Sequence, residues 1–123
     1  MQLSEKEIEI VAHETVATSF VIERFDVPEQ LSSLMFRLDV SDHPIDIALI
    51  YDSQYNLRAE LTGISSKKRF IISEDEMIAS KGTKVGTIPA GEWLMALQIA
   101  GKPQDKHWAC RYTIEGFRSD DII

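Results

Sequence analysis

Residues Arg58 to Trp93 read RAELTGISSKKRFIISEDEMIASKGTKVGTIPAGEW. Apolar runs at Leu57–Leu61 and Lys68–Ile72 are each the length of a short strand, with a polar turn between them. Ser73-Glu74-Asp75-Glu76 is a capping-box pattern, Ser73 capping and Glu76 reaching back. Gly82 follows soon after, so the helix predicted over Ser73 to Ala79 has one or two turns at most. Ile88-Pro89-Ala90-Gly91 is then a corner, and the chain leaves it along an apolar run that begins at Trp93. Strand, turn, strand, corner, strand is the grammar of an all-β domain.

Outward from this stretch the apolar residues keep a period of two. Leu34, Phe36, Leu38 and Val40 alternate with Met35, Arg37 and Asp39. Trp108, Cys110, Tyr112 and Ile114 form one face of a strand, and His107, Arg111, Thr113 and Glu115 the other. Each has a dry and a wet side. Ile8 and Ile10 alternate with Glu7 and Glu9, and Phe20 to Phe25 repeats the pattern less cleanly. Ile45 to Tyr51 and Trp93 to Ile99 are apolar on both faces, which places them centrally in a sheet with cover on both sides. Asp42-His43-Pro44, Asp52 to Asn56 and Gly101-Lys102-Pro103 are turn chemistry.

Eight strands so spaced predict an all-β fold, a two-sheet antiparallel β-sandwich of jelly-roll or Greek-key connection with one short helix. Residues 1–123 hold no repeat or linker and read as a single domain. The expected core is Ile8, Ile10, Phe20, Ile22, Leu34, Phe36, Leu38, Ile47, Leu49, Phe70, Ile72, Trp93, Met95, Leu97, Ile99, Trp108, Tyr112 and Ile114.

The net charge of −7 argues against a nucleic-acid partner, because phosphate binding needs clustered cations. No run approaches the ~20 apolar residues of a membrane helix. One cysteine, Cys110, makes no internal disulfide, and glutamates stand where a signal peptide needs an apolar core. The expected setting is the cytoplasm.

Four fragments, in order, resemble a known family. Phe25-Asp26-Val27-Pro28 is similar to its F-x-V-P entry, and Ile45 to Asp52 to its L-D-L-G-L-x-D strand. Gly63, Ser65, Arg69 and Phe70 fit its G-W-S-G-x-x-R-x-x-F stretch, and Ile88 to Trp93 its I-P-A-G-E-W corner. The family is the carbaryl-esterase-type PHP-domain metallohydrolases, and the resemblance, from about Phe20 to Phe117, is to their amino-terminal, non-catalytic β-sandwich. Ile64 replaces the family's Trp, Ala48 its Gly, and Val85-Gly86-Thr87 its Gly-Pro pair. In the family this domain leads into a catalytic domain opened by an Asp-Leu-His-x-His metal motif. The three histidines here, His13, His43 and His107, form no His-x-His.

The resemblance implies an accessory or interaction module, free-standing or part of a longer chain, with a metallohydrolase catalytic domain as partner in cis or in trans. The alternative is a small-ligand or carbohydrate-binding sandwich, with Trp93 and Trp108 as candidate platforms. No catalytic, cofactor or metal site is expected. His107 and Cys110, three apart on a strand, face opposite sides and share no proton. Asp39, Asp42, Asp46 and Asp52 are a conceivable calcium group, lacking EF-hand spacing. Lys67-Lys68-Arg69 reads as a solvated strand end rather than an anion cradle. Any homodimer is expected to be weak and to form through a Leu57–Ile72 hairpin, with Leu61, Ile64, Ser65, Arg69 and Ile71 as its candidate interaction surface. The glutamates of the first strand repel a second copy of themselves.

Overall fold

The computed structural model describes residues 1–11, 20–41, 44–99 and 107–121, without the side chains of 9–11, 41, 107 and 108. The expected positions of His13, Asp42, His43 and the 101–103 turn, and the side chains of Ile10, His107 and Trp108, lie outside the described residues. Eight strands are present: β1 (Gln2–Val11), β2 (Phe20–Val27), β3 (Ser33–Ser41), β4 (Ile45–Tyr51), β5 (Leu57–Ile64), β6 (Lys67–Ser73), β7 (Gly91–Ile99) and β8 (His107–Phe117). They form two four-stranded antiparallel sheets, ordered β1-β8-β3-β6 and β2-β7-β4-β5. Every link except β4–β5 passes from one sheet to the other, which makes this order a jelly roll.

The two sheets share one core. Leu34, Phe36 and Leu38 of β3, Phe70 and Ile72 of β6, and Tyr112 and Ile114 of β8 meet Trp93, Met95 and Leu97 of β7, all essentially without solvent exposure. Aromatic rings bridge the layers: Phe36 stacks on Phe70 at 4.8 Å and meets Phe25 of the other sheet edge-on at 5.7 Å. Each such side chain contributes about 1.5–3 kcal/mol by burial.

Four residues expected in the core face outward instead. Phe20 and Ile22 are 53% and 54% exposed, because β2 turns its odd positions inward, where Phe25 and Val27 are both buried. That phase carries Glu23 into the interior as well. The carboxylate is accommodated there by Lys6 Nζ at 2.9 Å and by the Tyr112 hydroxyl, which donates to it at 2.9 Å. Ile47 and Leu49 are half-buried on the outer face of β4. A bulge lets Ile45 pair with Ile99 and Ile47 with Gln98, so Ile45, Ala48 and Ile50 point inward. The outer faces of β4 and β7, expected to be covered, carry no second layer among the described residues.

Two further expectations need correction. Leu57–Ile64 and Lys67–Ser73 are not a hairpin: β5 and β6 lie in different sheets, and the Ser65-Ser66 link crosses the open side of the sandwich. No helix forms over Ser73 to Ala79: the segment is one hydrogen-bonded turn, in which the Asp75 carbonyl accepts from the N–H groups of Ile78 and Ala79 at 3.0 Å each. The Ser73 hydroxyl accepts from the Asp75 N–H at 3.0 Å and so closes that turn rather than capping a helix. Asp75 rather than Glu76 supplies the other side-chain bond, to the Met77 N–H at 2.9 Å.

Candidate interaction surfaces

With the core closed, the side chains left for function are those on the two outer faces and along the edges. The outer face of β2-β7-β4-β5 is apolar. Its cross-strand rows are Phe20, Gln98, Ile47, Thr62, then Ile22, Ala96, Leu49, Glu60, then Arg24, Leu94, Tyr51, Leu57. Four strands at their ordinary spacing and five residues of strand length make this face roughly 19 by 17 Å, on the order of 300 Å². Polar residues stand at its rim, among them Arg24, which pairs with Glu92 at 3.5 Å. Eight of these twelve positions are apolar, which makes a patch of the size that is the largest on many monomers, and such patches are often binding surfaces.

The outer face of β1-β8-β3-β6 is charged. Glu7 pairs with Arg111 at 3.3 Å and Glu115 with Arg37 at 3.3 Å. Arg37 stands directly across from Arg69, and Asp39 from Lys67. A groove of about 470 Å³ runs among these side chains. Lys67, Lys68 and Arg69 are all exposed.

The residues expected to form one interaction surface are not brought together as one. Leu61 and Ile64 are 8% and 4% exposed and belong to the core, because β5 faces them toward the other sheet. Ile71 is half-buried, beside the Ser80 segment, whereas Ser65 and Arg69 are exposed. The three aspartates of that group among the described residues do not converge. Asp39 is on β3 of one sheet, while Asp46 and Asp52 belong to β4 and its exit in the other, and Asp42 lies outside the described residues. Among the described residues no three metal-ligating side chains cluster. Trp93 is fully buried, its indole N–H donating to the Pro89 carbonyl at 2.9 Å. Cys110 is buried too, and desolvation pushes its thiol up to about 11.

One polar centre was missed by sequence reasoning. A bulge between β4 and β5 pairs Tyr51 with Leu57 and Ile50 with Ala59, leaving Arg58 as the extra residue and turning it inward. Its guanidinium pairs with the Asp52 carboxylate at 3.4 Å and donates to the carbonyls of Thr87 at 2.6 Å, Gly86 at 3.0 Å and Lys84 at 3.2 Å. It also lies 5.6 Å from the centre of the Trp93 ring. Asp52 in turn accepts from the N–H groups of Gln54 at 2.9 Å and Asn56 at 3.0 Å. Arg58 thus ties the β4–β5 turn to the 84–87 strap. The available signal was an arginine in a short apolar strand, near a turn aspartate.

No protein-family model matches this chain, and no curated protein matches it. Among the described residues no helix is long and apolar enough to cross a membrane.

Proposed function

We propose that this chain is a non-catalytic accessory module of the cytoplasm that docks against a PHP-type metallohydrolase catalytic domain, in cis or in trans. The observation that carries the reading is the bare apolar face of β2-β7-β4-β5, where Phe20 and Ile22 stand more than half exposed beside Leu94, Ala96, Ile47 and Leu49. A sheet normally covers such a face, and interfaces between domains bury about 600–1,500 Å², which this patch would centre. The resemblance of the Phe25, Ile45, Gly63 and Ile88 fragments to the family's amino-terminal sandwich supplies the identity of the cover. A carbohydrate-binding module has less behind it, since Trp93 belongs to the core.

Titration calorimetry of the purified chain with a recombinant PHP-type catalytic domain tests the proposal. Binding with a negative heat-capacity change is expected, because apolar area is buried. Ile22→Lys weakens it about ten-fold or more, as a charge must be desolvated in the patch. No binding, or binding indifferent to Ile22→Lys and Leu49→Lys, overturns it. Screened alone against esters, phosphoesters and carbamates with divalent metals, the chain is expected to give no turnover.

A further inference from the structure

The charged outer face is polarised across its width, and its two ends are the two free edges of one sheet. On the β6 edge, Lys67 and Arg69 face outward and form no ion pair among the described residues. On the β1 edge, the same face presents Glu5 and Glu7. Between them the charges of β3 and β8 are balanced, Arg37 with Glu115 and Arg111, opposite Asp39, with Glu7.

Among the described residues, the backbone at both edges is open at these same positions. In an antiparallel sheet, successive residues direct their N–H and C=O groups to alternate sides. Ile71 directs both away from β3, donating to Ser80 Oγ at 2.8 Å and accepting from the Ser80 N–H at 2.9 Å. Two and four residues earlier, Arg69 and Lys67 therefore do the same, with no strand beyond them among the described residues. At the other edge, Met1 and Gly116 exchange backbone bonds, and Ser32 N–H donates to the Phe117 carbonyl. The even residues of β8 thus bond β1 and its odd residues bond β3. Glu5 and Glu7, paired with Thr113 and Arg111, are left with their backbone groups directed to the open side.

We propose that the β6 edge of one copy pairs with the β1 edge of a second copy, extending the charged sheet from molecule to molecule. Strand polarity fits, since four antiparallel strands leave β1 and β6 running in opposite directions. A copy set beside another in the same orientation brings β6 against β1 antiparallel. With Lys67 opposite Glu7, Arg69 falls opposite Glu5, so both cross-strand pairs are of opposite charge. Ser80 already occupies the edge at Ile71 and limits the pairing to this end of β6. The isolated molecule holds a like-charge contact, because Arg37 and Arg69 are a non-hydrogen-bonded pair, the closely spaced kind. A carboxylate from the neighbour relieves it. Charge on edge strands ordinarily prevents edge-to-edge pairing. Here each edge repels its own kind and attracts the other. The contact is heterologous, so it propagates into open chains rather than closing as a two-fold dimer.

Sedimentation velocity of the wild type, Arg69→Glu and Glu7→Lys, at about 0.01 M and about 0.15 M salt, tests this, since the Debye length falls from about 30 to 8 Å between them. The wild type is expected to associate reversibly with rising concentration, and less at the higher salt. Each variant alone stays monomeric, with circular dichroism and thermal midpoints reporting that it is folded. An equimolar mixture of the two variants retains one good β6 edge and one good β1 edge. It is expected to form a one-to-one dimer that does not grow. A wild type that remains monomeric at its highest soluble concentration overturns the proposal. So do variants that associate as the wild type does, or a mixture that stays monomeric while the wild type associates.

Discussion

Arg58 is 5% exposed and its partner Asp52 3%, and replacing the arginine with methionine separates what its charge does from what its stem fills. Methionine keeps the aliphatic length against Trp93 and removes every donor. The Asp52 carboxylate then keeps its two turn N–H groups but loses its only charge partner among the described residues, in a site closed to water. Breaking a buried pair from one side costs about 3–5 kcal/mol. The carbonyls of Lys84, Gly86 and Thr87 lose their donor as well. They belong to an exposed strap that water can reach, so they add little to that figure. A loss of about 4 kcal/mol is a large share of the ~5–15 kcal/mol that holds a domain together. In urea, with a slope of about 1.5 kcal/mol per molar, the unfolding midpoint falls by roughly 2.5 M. The double variant Arg58→Met, Asp52→Asn is expected to be more stable than Arg58→Met alone. Asparagine retains the turn acceptor and removes the stranded charge. A loss below about 1 kcal/mol in Arg58→Met, or a double variant less stable than the single one, refutes this account.

Gly91 has φ +121° and an added Cβ would lie 2.8 Å from Ser53 Cβ; Gly91→Ala is expected to cost about 1–3 kcal/mol, read as a lower thermal midpoint. Gly63→Ala is the comparison, with φ +63° and open space around it, and should cost less. Stability should also fall on alkaline titration. Burial first raises the Cys110 thiol from 9.0 to about 11 and the Tyr112 phenol from 10.0 to about 12. The unfolded chain therefore gives up these protons earlier than the folded one, and stability present below pH 9 is lost as pH rises toward 12. Chemical denaturation at a series of pH values checks it, and a Cys110→Ala variant should show a shallower decline at the lower end of that window.

The eight strands were legible because a half-buried strand writes its two faces into alternate residues. Leu34, Phe36 and Leu38 against Arg37 and Asp39 left no other reading. The phase of β2 was not legible. FVIERFDV offers apolar residues in both registers, and the register chosen puts Glu23 inside. Only Lys6 and Tyr112, distant in sequence, make that acceptable. The phase of β4 was hidden by a bulge, since IDIALIY alternates Ile45, Ile47 and Leu49 on paper. One extra residue opposite β7 sends Ile47 and Leu49 to the outside. Connectivity was hidden in the same way at Ser65-Ser66. Two residues between two strands ordinarily make a hairpin, yet here they carry the chain from one sheet to the other.

Phe20 and Ile22 of β2 and Ile47 and Leu49 of β4 are as large and apolar as core residues, and all stand on the same outer face. Phe20, Ile22, Ile47 and Leu49 are core-like residues without a core to enter. Folding alone would tolerate polar residues there, as it does on the opposite outer face, where Arg37, Arg69, Arg111 and Glu7 occupy equivalent positions. Hydrophobic burial is gained only when something covers them, at about 25 cal/mol for each Å² removed from water. The apolar share of that face, on the order of 200 Å², corresponds when covered to about 5 kcal/mol before the costs of association. The two sheets of one sandwich thus present unlike surfaces, one suited to a dry contact and one to a salt-sensitive edge pairing. A substitution on either face should leave the other contact intact, which makes Ile22→Lys and Arg69→Glu controls for one another.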